Sequence, residues 1–411
     1  MGLCLASEFR PAQGYGLGRY VSEHCAALAA AGVDVQVACS NYDSGREQVN
    51  FAGVSVSNAP YVYPFRAYCE VADILQGNMS LLGRALEMHR RGDGFDLIQA
   101  HDWLAASAAK ALRAILALPL VVTMHETEIG KSLGQLDPSR QYIAEMEGWL
   151  CGLADAVTVN SEFIRRELTE AYQIPADKIT TIGCGVNPDS FRTRSDPRLF
   201  KTVLCPPGDQ LVAFVGRLAQ MKGPHVLLEA IPQLTAVCPR VRFVFAGEGS
   251  LQEPLQRRAS ELGIADRVRF VGHLRGQVLA TFYRAADVLV VPSLYEPSGM
   301  VALEGMVCGA PVVASDTGGL ADIIEHDVSG VKVPPNDPRA LASALAKVLL
   351  NPERAQQLGQ AGKRRTETAF RWGEVASRTV AVYQQVLGAP EMGAATVAGV
   401  SETPAAAEVT A

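Results

Sequence analysis

The chain's absences narrow its function before any motif is considered. Its nine cysteines run singly from Cys4 to Cys308, odd in number and without a C-x-x-C pair. That pattern excludes a disulfide framework and a cysteine zinc site, and it predicts reduced thiols and a cytoplasmic setting. Basic charge is not in excess: the formal net charge is -6, which excludes a broad cationic surface for nucleic acid or anionic membrane. Short basic clusters such as Arg90-Arg91, Arg165-Arg166 and Lys363-Arg364-Arg365 have acidic neighbours and read as solvated helix faces. No apolar run is long enough to span a bilayer, and the opening MGLCLASEFRP lacks the basic region of a secretory leader. Asp-x-Asp is missing, and no histidines sit at metal-ligand spacing. The expectation is therefore no metal and no cofactor.

What is present is a long apolar alternation. Hydrophobic residues make up 48% of 411, enough for two or three cored domains. In the first half, strand-like runs (GLCLAS, VDVQVAC, DLIQA, PLVVTM, AVTVN, KITTI) alternate with helical stretches at 18–31, 103–116 and 161–171. Prolines 188, 197, 206 and 207 break the rhythm, and it restarts with QLVAFVG, VRFVFAG, RVRFVG, DVLVVP, PVVAS and GVKV. This predicts an α/β protein of two doubly wound parallel sheets. The expected domains are residues 1–188, a linker at 189–208, a second domain at 209–371, a helix at 372–388 able to cross back, and a disordered tail at 389–411. In such sheets ligands bind on loops at the carboxyl ends of strands.

Two of those loops carry chemistry. In YEPSGMVALE, Glu296 sits after a buried strand, Ser298 reads as a helix N-cap and Gly309 as the stop. The first-turn amides of Gly299, Met300 and Val301 suit a diphosphate. Glu304, in an otherwise apolar helix, needs partners and can accept hydrogen bonds from ribose hydroxyls, as Glu296 can from sugar hydroxyls. In FVGRLAQMKGP, Arg217 and Lys222 place two cations on one loop, where they can stabilise the charge growing on a departing nucleotide.

Taken together, G-R-L-x-x-x-K-G, then E-P-x-G-x-x-x-L-E about eighty residues on, then T-G-G-L resemble the retaining family-4 glycosyltransferases, in their glycogen and starch synthase-like branch. The resemblance covers about residues 1–388. It implies the GT-B fold, two facing Rossmann-like domains with the donor mostly on the second. It also implies that Arg217 and Lys222 bind the diphosphate, Glu296 the donor sugar and Glu304 the ribose, with Gly299, Met300 and Val301 as backbone phosphate contacts. PAQGYGLGRYV is similar to the family's first glycine loop, so Gly16 and Leu17 approach the phosphates and the acceptor side. VVTMHETE places His125 where the family's histidine contacts the donor sugar; a satisfied core histidine is the lesser alternative. QAHDW puts His101 and Asp102 on the acceptor side or in a strand-end hydrogen-bond pair. Ser161 fits the family's cadence and also a helix N-cap. Gln13-Gly14 stands where bacterial glycogen synthases carry lysine, a departure from that enzyme.

The implied activity moves a hexose, glucose first, from UDP-glucose or ADP-glucose to a sugar or glycan, with retention and without metal. Mannosyl and N-acetylglucosaminyl transfer are the alternatives within the family. A GT-B nucleotide-sugar epimerase, a pyridoxal phosphate-dependent phosphorylase and a non-catalytic nucleotide-sugar binder are those outside it. Nucleic acid and integral membrane insertion are not expected, and the oligomeric state is left open.

Overall fold

A computed structural model describes residues 2–8, 16–41, 48–59, 70–92 and 94–388. The tail expected at 389–411 lies outside them.

The first domain comprises β1 (Gly2–Glu8), α1 (Leu17–Ala30), β2 (Val35–Asn41), β3 (Gln48–Phe51), β4 (Val54–Asn58), α2 (Glu70–Arg90), β5 (Leu97–His101), α3 (Ala106–Leu116), β6 (Leu120–Met124), α4 (Glu128–Lys131), α5 (Pro138–Leu153), β7 (Ala156–Val159), α6 (Glu162–Glu170) and β8 (Ile179–Thr181). α7 (Pro197–Leu204) follows. The second domain comprises β9 (Gln210–Val215), α8 (Pro224–Val237), β10 (Val241–Ala246), α9 (Gln252–Glu261), β11 (Val268–Gly272), α10 (Gly276–Ala285), β12 (Val288–Val291), α11 (Met300–Val307), β13 (Val312–Ser315), α12 (Gly319–Ile323), β14 (Val331–Val333), α13 (Pro338–Leu349) and α14 (Pro352–Ala369). α15 (Trp372–Leu387) ends the described chain.

The described strands form two sheets, ordered β3-β4-β2-β1-β5-β6-β7-β8 and β11-β10-β9-β12-β13-β14. All pairings are parallel except β3 with β4, an edge hairpin absent from the sequence reading. The alternation of apolar runs with helices dictates this result. β5 and β6 are buried at every position, as strands covered on both faces must be. The second sheet has the doubly wound order in which the winding reverses between its first and fourth strands, here β9 and β12. The first sheet reverses between β1 and β5. Ligand crevices form at such reversals, and the loops discussed below leave these four strands or their neighbours.

The stretch read as a linker is more structured than its prolines suggested. Asp196 caps α7 through the Arg198 amide, and Pro197 occupies the first turn, where its missing N–H costs nothing. α15 returns to the first domain: His24 Nε2 of α1 lies 2.9 Å from Thr379 Oγ1, and the Tyr383 hydroxyl donates to Gln99 Oε1 of β5. The cores also interlock. Met221 and Tyr295 of the second domain pack into the first domain's core, and Tyr20 of α1 packs into the second's.

Candidate active site

The wall supplied by the second domain starts where β9 ends. After Gly216 the chain passes Arg217, closes a 3-10 turn at Gln220–Lys222 and enters α8. Gly223, at φ 63°, permits this because a Cβ there would lie 2.0 Å from the Pro292 carbonyl oxygen. The neighbouring loop is stitched alongside: the amides of Leu294 and Tyr295 both donate to Met221 O, at 2.8 and 3.1 Å.

That stitching brings Lys222 to Glu296. The ammonium lies 2.9 Å from both carboxylate oxygens, and Glu296 also accepts from Ser293 Oγ at 2.9 Å and the Gly299 amide at 3.4 Å. Glu296 is buried and Lys222 half-buried. Two residues expected to serve different parts of a donor are thus each other's partners. Arg217 is exposed, and its guanidinium reaches Met221 Sδ at 3.6 Å.

α11 differs from expectation at its start. The N-cap is Gly299, at φ 71°, ψ 24°, and not Ser298, and no side chain caps the helix. A left-handed backbone at the cap suits glycine alone at low cost. It leaves the amides of Met300 and Val301 without a partner among the described residues, which is how a helix presents an anion site. Gly309, at φ 80°, follows the C-cap Cys308 and stops the helix.

Glu304 lies on the buried face of α11, 2% exposed. Its Oε1 accepts from Arg19 Nη1 at 2.9 Å and its Oε2 from Tyr283 Oη at 2.7 Å. Burial pushes this carboxyl above its ordinary value, while the Arg19 charge and the Tyr283 bond pull it down. Arg19 belongs to α1 of the first domain, and its guanidinium stacks 4.8 Å over the Phe191 ring. The sequence reading named neither Arg19 nor Tyr283. Partners 285 and 21 residues from Glu304 leave no local pattern, and the only available signal was that a buried carboxylate must have some partner.

The first-domain wall is built on α1 and the loops after β5, β6 and β7. Gly16, at φ 66°, caps α1, and half-buried Leu17 packs on the core beneath. Asp102 stands at φ 55°, and its Oδ1 accepts the His125 amide at 2.7 Å. His125 is nine-tenths buried, with Nε2 2.8 Å from His101 Nδ1 and Nδ1 2.9 Å from Asn160 Nδ2. With Asn160 donating, the proton sits on Nε2 and points to His101. Burial, then the neighbouring His101 and His24, hold His125 far below the usual histidine value, so it is neutral. His101 and Asp102 thus hold His125, one by its ring and one by its backbone. Ser161 does cap α6, accepting from the Ile164 amide, and its hydroxyl also donates across the cleft to Pro297 O at 2.7 Å.

A second crossing was not legible. Tyr295, immediately before Glu296 in the second domain, inserts its hydroxyl into the first. It accepts from the Thr127 amide at 3.1 Å and donates to Glu167 Oε2 at 3.0 Å. Gly130 makes the space, since a Cβ there would lie 2.2 Å from the Tyr295 ring. Among the described residues no group of three or more His, Cys, Asp or Glu is placed to hold a metal ion, and no helix is long and apolar enough to cross a membrane.

Two parallel-sheet domains meeting at the carboxyl ends of their strands, with helix-terminal amides and paired charges between them, define the GT-B class. The fold superposes on the sucrose-phosphate synthase of Thermosynechococcus elongatus with a TM-score of 0.79 at 26% identity, covering 94% of this chain and 99% of that one. The chain belongs to the glycosyltransferases: residues 196–365 match the family described as Glycosyl transferases group 1, and residues 15–190 match Glycosyltransferase Family 4. It is 33% identical over 397 residues to the glycogen synthase of Mycobacterium tuberculosis H37Rv, covering 93% of this chain and 94% of that protein. It is 36% identical over 307 residues to the D-inositol 3-phosphate glycosyltransferase of Thermobispora bispora, covering 71% of each. The chain is thus a sugar-transferring enzyme.

Proposed function

We propose that the chain moves a hexose, glucose first, from a nucleoside diphosphate sugar to a sugar or glycan acceptor, with retention of configuration and without a metal ion. The observation that carries this reading is the start of α11, unpartnered among the described residues, with the Lys222–Glu296 pair on one side and Glu304 about one turn inside the helix. Amides and Lys222 suit the diphosphate, Glu304 the ribose and Glu296 the sugar hydroxyls. Arg217, exposed beside them, is free to fold onto the departing nucleotide.

Bond breaking leaves negative charge on the diphosphate oxygen. The fixed amides and cations oppose that charge without reorganising, which is where preorganised sites gain most. The acceptor attacks from the face the nucleotide leaves, through an oxocarbenium-like state, with no covalent adduct on Glu296. His125, Asp102, Gly16 and Leu17 lie on the opposite wall, so the sugar and acceptor are enclosed between the domains. A glycogen synthase and a sucrose-phosphate synthase among the similar proteins support glucose as the first sugar to test. The deciding measurement is nucleotide release by the pure protein from UDP-glucose, ADP-glucose, GDP-mannose and UDP-N-acetylglucosamine, with and without maltooligosaccharide. Release from a glucose donor that rises with acceptor supports the reading. Sugar inversion without any acceptor identifies an epimerase instead.

A further inference from the structure

We infer that Arg19 of the first domain is a positioning residue for the nucleotide: by pairing with Glu304 it keeps that carboxylate ionised and aimed for the ribose hydroxyls. The inference rests on reading Glu304 as the ribose-binding carboxylate.

The observations are geometric. Arg19 Nη1 meets Glu304 Oε1 at 2.9 Å, with side-chain exposures of 14% and 3%. Tyr283 Oη meets the other oxygen at 2.7 Å. Each carboxylate oxygen has two lone pairs, so each keeps a second acceptor position while the two protein donors fix the plane of the group. Phe191 beneath the guanidinium limits where Arg19 can swing. The rest of α11 is apolar, with Ala302, Leu303, Met306 and Val307 all buried.

Without Arg19, Glu304 would be a buried carboxylate with one neutral donor, and burial already raises its pKa against the pull of Arg19. The other charged groups near this corner do not replace it. Cys308, on the same helix, has its thiol pushed up to about 12, first by burial and then by Glu304 itself. Arg284 of α10 and Lys363 of α14 act on Cys308. Glu23, one turn beyond Arg19 on α1, is itself a carboxylate held up by burial. A protonated Glu304 becomes a donor at one oxygen and a weaker acceptor at the other, and ribose recognition fades. Because Arg19 comes from the opposite domain, nucleotide affinity should depend on the first domain even where the nucleotide does not touch it.

The test compares the best-bound of UDP, ADP and GDP with its 2′,3′-dideoxy analogue by calorimetry, from pH 6 to 9, for the wild type, Arg19→Ala and Arg19→Lys, with thermal unfolding confirming that each is folded. The wild type should bind the dideoxy analogue at least about tenfold more weakly across the range, since hydrogen bonds to a charged group are among the stronger ones. Arg19→Ala should lose most of that discrimination at pH 6–7 and regain it toward pH 9, and Arg19→Lys should keep it. Wild-type-like discrimination in Arg19→Ala at every pH overturns the inference. So does an equal loss in both variants at every pH, which marks a purely structural contact. A wild type that ignores the ribose hydroxyls, or binds no nucleotide, overturns the reading of Glu304 itself.

Discussion

The ammonium of Lys222 sits equidistant, at 2.9 Å, from the two carboxylate oxygens of Glu296 across 74 residues of chain. In this structure the two groups proposed for the diphosphate and for the sugar neutralise one another. The charge of each therefore reaches a ligand only through the other. Lys222→Ala and Glu296→Ala should each lower kcat/KM for the donor by roughly 10² to 10³. The double variant should fall little further, because residues that act as a unit are not additive. Steady-state nucleotide release measures all three, and a double loss equal to the product of the single ones would separate the two roles.

Activity should survive chelation. On the proposed reading, in which amides, Lys222 and Arg217 hold the diphosphate without a Lewis acid, excess EDTA should leave turnover within about twofold of the untreated enzyme. Abolished turnover that magnesium alone restores would put a metal back into the reaction.

Tyr295 should act as a clasp between the domains. Tyr295→Phe removes the hydroxyl that joins Thr127 and Glu167 and should cost about 1–3 kcal/mol in urea unfolding. Tyr295→Ala also empties the first domain's core and should cost roughly 3–5 kcal/mol. Both should raise donor KM more than they lower kcat, since closure rather than chemistry is affected. Unchanged stability in both variants would show that the clasp is not held in solution.

Glu147 makes stability depend on pH in a recognisable direction. Burial raises its carboxyl to about 7, against an ordinary 4.5, although it accepts from Tyr172 Oη and the Glu128 amide. Between those values the folded state binds more protons than the unfolded chain, so stability falls as pH rises through the window. Glu147→Gln should remove that fall: from pH 5 to 8 its stability relative to the wild type should improve by up to roughly 3 kcal/mol. A relative stability that does not change with pH would contradict this.

Two glycines should separate sharply. A Cβ at Gly318 would sit 1.9 Å from the Glu296 carbonyl oxygen, backbone that cannot yield without moving the loop. Gly318→Ala should therefore remove nearly all transfer. Gly16 has open space among the described residues and only its φ of 66° against it, so Gly16→Ala should cost about 1 kcal/mol and leave measurable turnover. Equal losses in nucleotide release would refute the steric account.

The sequence disclosed what depends on local pattern. Buried runs such as LVVTM and VLVV announced parallel strands, and a lone Glu304 among apolar neighbours announced a site. It hid what depends on where distant segments meet. Nothing near Leu17 says that Arg19 will face Glu304, and nothing in SLYEP says that Tyr295 will leave its own domain. Ser298 reads as the cap because a serine before a helix is the stronger local signal, whereas the tight return past Leu320 and Ile323 selects glycine one residue later. The hairpin of β3 and β4 is not legible because its edge strand is only four residues long and no deeper than half-buried, too short for its alternation to stand out.

α15 leaves the second domain and lies against α1 and β5, so the chain passes between the domains twice. Anyone exchanging halves between relatives to alter the acceptor must therefore cut in two places. A first half transplanted without residues 372–387 arrives lacking the helix that binds His24 and Gln99. A chimera joined only near residue 190 inherits a foreign closing piece, and whether it folds turns on how Thr379 and Tyr383 suit their new host.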